Sequence, residues 1–251
     1  MRTITISQIQ PLMHTGTHRQ QPMTAQQYAQ LMRLSSPALP VGGFSYSQGL
    51  ESAVELGVIN NEATTGEWIG QTLNTVMARG EAVLWLLLYR AWHLQDRHQI
   101  HQWNQWYYAS RETAEARAET TQMGVSLIHL AQALDWGHEQ ARSCLHDLDT
   151  PCFPTVHAYA VVALALPEEA GLAALLYSWM ENQIMAAIKT VPLGQTAGQR
   201  LLSTLIVQLD PAIATARQSA ACQPPEIFTL APHYSIMAAR HESQFSRLFR
   251  S

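Results

Sequence analysis

Eleven histidines, three cysteines and a run of mixed charges are the residues of this 251-residue chain whose types can do chemistry. His14 and His18 stand four residues apart, and His98 and His101 three apart. On a helix either spacing puts two rings on one face, where a pair can supply two metal ligands. A tight site takes three or four ligands with supporting hydrogen bonds, and no His-Glu-x-x-His occurs. His98 and His101 lie among Gln, Asp and Arg, which reads as a solvated face. Cys144 and His146 are near in sequence, but ordinary packing and surface placement account for them. No metal site and no cofactor is assigned.

Nucleophiles and phosphate cradles fare no better. A phosphate-binding loop needs G-x-x-x-x-G-K-[ST], whose backbone amides and lysine hold the phosphates. The glycine-rich stretch Gly194 to Gly198 continues as Gln199-Arg200, so it reads as a tight turn at a helix start. A hydrolase elbow needs G-x-S-x-G, and Gly43-Phe44-Ser45-Tyr46-Ser47 fails at the last position. Ser45 and Ser47 read instead as helix caps. Arg111, Glu112, Glu115, Arg117 and Glu119 read as one charged helical face. Arg111 and Glu115 are opposite charges at i, i+4, while Glu115 and Glu119 are like charges at that spacing. A solvated ion-pair face is the default reading of such a run, and a partner-docking face the sharper one. The residues therefore give no legible catalytic site.

The bulk numbers narrow the classes further. Hydrophobic residues make up 47% of the chain and charged residues 14%, enough to fill a core and leave apolar surface for a partner. Net charge is −4 and no basic block occurs, which leaves nucleic-acid binding and a polybasic membrane tether unsupported. Cys144, Cys152 and Cys222 are odd in number and contain no C-x-x-C, so a reducing cytoplasm fits better than a disulfide framework. The apolar runs Val83–Tyr89 and Ala158–Leu166 are too short to span a bilayer. Residues 1–23 lack apolar periodicity and an export signal, and read as a flexible, dispensable arm.

The elements that must carry these residues are helical throughout, because apolar positions recur at helical spacing and no period-2 run occurs. A first helix is expected from Thr24 to Leu34, stopped by Ser35, Ser36 and Pro37. Pro37 to Gly43 forms a loop of fixed shape, and the next helix carries Leu50, Ala53 and Val54 up to Gly57. Val83 to Tyr89 is apolar nearly all round and should be a buried central helix. A longer helix is expected from about Arg111. Pro167 and the two acids after it open a helix that runs to about Lys189. Pro211 should kink or split the helix that follows from Thr196. After an irregular connection at 223–232, a last helix is expected from His233 to Phe249. The fold expected is an all-α, single-domain bundle over 24–251, with a C-terminal tail that projects to a partner.

Four stretches carry more information than their periodicity. The first runs from Leu31 to Glu51 through Pro37-Ala38-Leu39-Pro40-Val41-Gly42-Gly43-Phe44-Ser45. The second is Ser110 to Arg117 followed by Gln122-Met123-Gly124. The third runs from Tyr177 to Gln183 and on through Lys189-Thr190-Val191-Pro192-Leu193-Gly194-Gln195 to Arg200. The fourth is Arg240 to Ser251. In order and spacing they resemble the UreF family of urease accessory proteins, over residue 24 to the end. The resemblance departs from the family at His157, where an apolar residue or glycine is expected, and at Phe245, which often is Tyr.

The resemblance implies an all-α, dimerising accessory protein without enzyme chemistry. It implies the partners UreD (UreH in some systems), the GTPase UreG and the urease apoprotein, in an assembly that loads nickel into urease. UreF would act there as scaffold or GTPase regulator. A direct nickel-binding metallochaperone is the alternative class, and it needs a ligand cluster that the histidine spacing does not supply. Within this frame Gly42 and Gly43 read as a rigid loop presented at an interface, or as a plain structural turn. Tyr46 and Glu51, at the next helix start, are placed to meet a partner or the C-terminal tail. Lys189 suits a helix C-terminal dipole or a partner contact. Arg240, Phe245, Arg247, Leu248, Phe249 and Arg250 form the expected partner-binding tail, because exposed aromatics favour a partner groove.

Overall fold

Helix starts in this chain follow its capping residues. The computed structural model describes residues 22–250, so His14, His18 and most of the expected arm lie outside the described residues. Thr24 caps α1 (Ala25–Ser35) in a reciprocal box. Its hydroxyl accepts from the Gln27 amide at 3.2 Å, and the Gln27 side chain accepts from the Thr24 amide at 2.9 Å. The loop after it holds one short 3-10 turn, Gly43–Ser45, and leads to α2 (Leu50–Glu55). Asn61 caps α3 (Glu62–Thr72), which runs on through a π-helical stretch, Leu73–Glu81, into α4 (Ala82–His93). Asp96 caps α5 (Arg97–Ala109), and Thr113 caps α6 (Ala114–Ala133). Then come α7 (Glu139–His146), α8 (Phe153–Ala163) and α9 (Glu168–Thr190). The chain ends in α10 (Gln195–Ile206), α11 (Leu209–Ala221) and α12 (Pro232–His241). Among the described residues there is no strand, and the all-α reading holds.

α4 is the axis of the larger core. Ala82 to Leu88, Ala91 and Trp92 are all buried, as its unbroken apolar run requires. It packs against α5, α8, α9 and α11, and α8 in turn lies on α6. That last approach is close: a Cβ on Gly124 would run into the Pro151 carbonyl, so only glycine fits there. The second core forms along α9, where Met180, Ile184 and Ala187 meet Trp68 and Ile69 of α3 and Leu201 and Leu205 of α10. Among the described residues no helix is long and apolar enough to cross a membrane.

Several expectations change. The helix expected from Arg111 starts three residues later, because Thr113 takes the cap. Pro211 splits rather than kinks: α10 ends at Ile206, and Pro211 sits in the first turn of α11, where its missing amide costs no helical bond. Ser45 does not cap α2, since it lies in the 3-10 turn, and Gly49 holds the N-cap position. Ser47 still meets that helix, its Oγ accepting from the Glu51 amide at 3.4 Å. The last helix stops at His241 instead of Phe249, and the residues after it fold back as irregular chain.

Candidate partner interface

The charged run 111–119 turns out to be the seat of the chain's own C-terminus. Glu242 sits at the N-terminus of α6, and its Oε1 accepts from the amides of Ala114 at 2.8 Å and Glu115 at 3.3 Å. A carboxylate there satisfies amides that lack helical partners and meets the positive end of the helix. His241 is fully buried between α2 and α6. Its Nδ1 lies 2.8 Å from Glu115 Oε2 and its Nε2 3.1 Å from Glu51 Oε2. The ring thus sits between one carboxylate from α2 and one from α6. Arg247 completes the clasp with a 2.5 Å bond from Nη1 to Glu115 Oε1.

Glu51 is the hub. Its Oε1 accepts from the Leu248 amide at 2.7 Å, and its Oε2 accepts from the Phe249 amide at 3.0 Å. One carboxylate thus fixes two successive backbone amides of the tail and the His241 ring. The Arg250 amide then donates to the Ser45 carbonyl at 2.8 Å. The Phe249 ring enters the second core at 6% exposure, with the Lys189 ammonium 5.4 Å from its centroid. The projecting tail expected from sequence is therefore corrected. Its backbone finds partners in Glu51 of α2 and the Ser45 carbonyl, its side chains find theirs on α6, and Phe249 seals the core. Phe245, at 105% exposure, and Leu248, at 62%, remain outward; Arg240 is exposed too, and Arg247 and Arg250 are exposed although their guanidinium groups bond Glu115 and Gln122.

Gly42 and Gly43 shape the adjacent loop. Gly42 has φ 78°, a backbone region that side chains disfavour. Asn182 of α9 donates to the carbonyls of Gly43 at 2.9 Å and Tyr46 at 3.1 Å, which pins the loop to that helix. Tyr46 is buried and donates to Gln122 Oε1 at 2.8 Å, and the Arg250 guanidinium reaches the same oxygen at 3.4 Å. Burial, together with the nearby Glu119 carboxylate, raises the Tyr46 phenol above its usual range, and Arg250 opposes that rise. A second chain of bonds runs from Trp179 Nε1 to Gln48 Oε1 at 2.8 Å, and from Gln48 Nε2 to Glu119 Oε1 at 2.6 Å.

The solvated face expected of Arg111 is also corrected. Arg111 pairs with the largely buried Glu81 at the end of the π-helical stretch, and its guanidinium stacks 4.3 Å from the Tyr107 ring centroid. Tyr107 donates to the other oxygen of Glu81 at 2.5 Å. Desolvation is the largest single influence on the Arg111 charge and works against it, but Glu81, Tyr107 and Tyr234 together outweigh it and raise the pKa. This group lies at the floor of an open cavity of ≈ 400 Å³ between α1, α6, α9 and the 36–48 loop.

Of the residues singled out from sequence, the fold brings Tyr46, Glu51, Lys189, Arg247, Phe249 and Arg250 together. Sequence reasoning missed Glu115, Gln122, Asn182, His241 and Glu242 as members of the same site. All five lie within or beside the stretches quoted for the resemblance, so their location was visible and their contacts were not. Phe245 and Arg240 make no contact with the rest of this cluster in the bonds described.

An all-helical protein whose clasped tail borders an open cavity is the class that fold and site define. A family model named UreF matches residues 59–206. The urease accessory protein UreF of Bordetella parapertussis is 57% identical over 220 residues, covering 88% of this chain and 100% of that protein. The UreF of Cupriavidus metallidurans is 47% identical over 229 residues, covering 90% of this chain and 98% of that protein. The bifunctional urease accessory protein UreEF of Bordetella bronchiseptica is 56% identical over 229 residues, and this chain spans only 53% of its length. The chain belongs to the UreF family of urease accessory proteins.

Proposed function

We propose that this chain is a non-catalytic scaffold in the nickel-dependent maturation of urease. In this reading it works in the cytoplasm as a homodimer, binds UreD (UreH) and the GTPase UreG, and docks with them on the urease apoprotein. The observation that supports it is the clasped tail. Glu51 holds the Leu248 and Phe249 amides, the Ser45 carbonyl holds the Arg250 amide, and Glu115 holds the Arg247 side chain, while Phe245 and Leu248 stay outward as exposed apolar side chains. A pre-ordered segment with exposed aromatic and aliphatic anchors loses little entropy on binding. Free thiols at Cys144, Cys152 and Cys222 suit a reducing compartment.

The test is co-elution of purified UreD with Phe245→Ser and Leu248→Ser variants. Both side chains are exposed, so the thermal melt should match that of the parent while co-elution is lost. Undiminished co-elution would place the UreD interface elsewhere. Calorimetry with GTP should show no binding by the isolated protein, and micromolar affinity would contradict a purely regulatory role. Nickel titration of the isolated protein separates the scaffold from a direct metal carrier.

A further inference from the structure

Two carboxylates from different helices close on one imidazole that water does not reach. The His241 side chain has no exposed surface, and its Nδ1 lies 2.8 Å from Glu115 Oε2 and its Nε2 3.1 Å from Glu51 Oε2. Both carboxylates are largely buried, with 9% of the Glu51 side chain and 16% of the Glu115 side chain exposed. The other ionisable groups at the ring are Arg247, which bonds Glu115, and Glu242, whose carboxylate accepts from the Ala114 and Glu115 amides. The Glu51 oxygens also hold the Leu248 and Phe249 amides. The ring therefore stands where α2, α6 and the tail meet.

An imidazole has two protonation patterns near neutral pH. With both protons it donates to both carboxylates, and its charge offsets theirs. With one proton it turns a lone pair toward one carboxylate, and two acceptors then face each other with no water between them. Neither carboxylate turns away without loss, because Glu51 is bonded to two tail amides and Glu115 to Arg247.

We propose that His241 is a pH-sensitive latch: the doubly protonated ring holds the tail 241–250 on α2 and α6, and loss of one proton releases it. The docked tail then carries one proton more than the released tail. Docking weakens as pH rises, by at most about tenfold per pH unit. His157 is the other buried imidazole among the described residues, and burial pushes its pKa down to about 4, so it is already neutral in this range. Release turns an ordered segment into one that a partner must order again. That consequence for a partner rests on the scaffold reading, and the latch itself does not.

Amide hydrogen exchange of the isolated full-length chain reads the latch with no partner present. Protection at Leu248 and Phe249, corrected for the pH dependence of intrinsic exchange, should fall more than tenfold between about pH 6.5 and 9, while protection within α4 stays constant. Nitrogen chemical shifts of the His241 ring should report the loss of one proton over the same window. Glu115→Gln presents an amide that donates to the lone pair, so its tail should stay docked without the pH dependence. His241→Gln should remove the dependence as well. Protection that is constant with pH in the parent chain, a His241 ring whose protonation does not change across the window, or a dependence that survives in Glu115→Gln overturns the latch. Should His241→Gln fail to fold, the ring shifts and Glu115→Gln still decide. Each of these results leaves the scaffold reading intact, and a failure to bind UreD, UreG or the urease apoprotein overturns that reading without touching the latch.

Discussion

Glu51 illustrates how much one side chain can hold. Its two oxygens take the amides of Leu248 and Phe249 and meet the His241 ring. Glu51→Ala leaves two amides without their acceptor, each worth roughly 1–3 kcal/mol if it stays buried, and takes the carboxylate away from the His241 ring. The tail can detach into water instead, which caps the loss at the tail's own docking energy. We expect Glu51→Ala to lower stability by about 3 kcal/mol, read by urea denaturation. Amide exchange at Leu248 and Phe249 should accelerate at the same time, and slow exchange would show that other contacts hold the tail. His157 gives a second prediction at this scale. Burial in α8 pushes its pKa down to about 4, from 6.5. Its Nδ1 accepts from Trp85 Nε1 at 3.1 Å, and its Nε2 has no partner. The folded state favours the neutral ring, so this stability is complete above pH 6.5 and declines as pH falls toward 4. Over that window the loss approaches about 3 kcal/mol. His157→Leu should flatten that part of the pH–stability curve, and an unchanged slope would assign it to other groups.

At the scale of elements, helix ends decide more than helix interiors. α1 is short and its outer face is exposed, so its capping box matters for holding it on α9. Thr24→Ala should cost about 1 kcal/mol and fray the first turn, which circular dichroism and exchange at Gln27 would report. The contact between α6 and the segment before α8 depends on a missing side chain. Gly124→Ala would force its Cβ against the Pro151 carbonyl, and backbone cannot yield as a flexible side chain does. We expect a loss of about 1–3 kcal/mol in a melt, and a neutral result would mean that the Pro151 loop moves freely.

At the scale of the molecule, the fold ties an early loop to the C-terminal tail. The loop 42–51 and the tail 241–250 are separated by nearly the whole chain, yet each completes the other against α6 and α9. Removing residues 240–251 would therefore do more than delete a partner contact. It would take Phe249 out of the second core, Glu242 off the α6 N-terminus, and two amide donors and the His241 ring away from Glu51. Truncating a buried phenylalanine alone costs about 3–5 kcal/mol, and 1 kcal/mol lowers Tm by roughly 2–4 °C in a protein of this size. A drop on the order of 10 °C is expected in a thermal melt. A near-native Tm would show that the tail's docking contributes little to the fold.

Helical class, the buried α4, the caps at Thr24 and the breaks at prolines were legible in sequence, because each rests on periodicity or on local backbone chemistry. The family was legible too, from four stretches that keep their order. What one residue meets across the fold was not. Arg111 and Glu115 are ideally spaced to pair along a helix, yet the helix begins after Arg111. Glu81 and the tail then offer each of them a drier, better-bonded partner. The C-terminal residues carry the same signal whether they project or dock: apolar, basic and near a terminus. Only the tertiary structure decides between these, because the choice depends on Glu51, two hundred residues away in sequence, having oxygens placed for two tail amides. Spacing along a chain fixes local geometry. The partners of buried charges are set by the long-range packing that removes water from them.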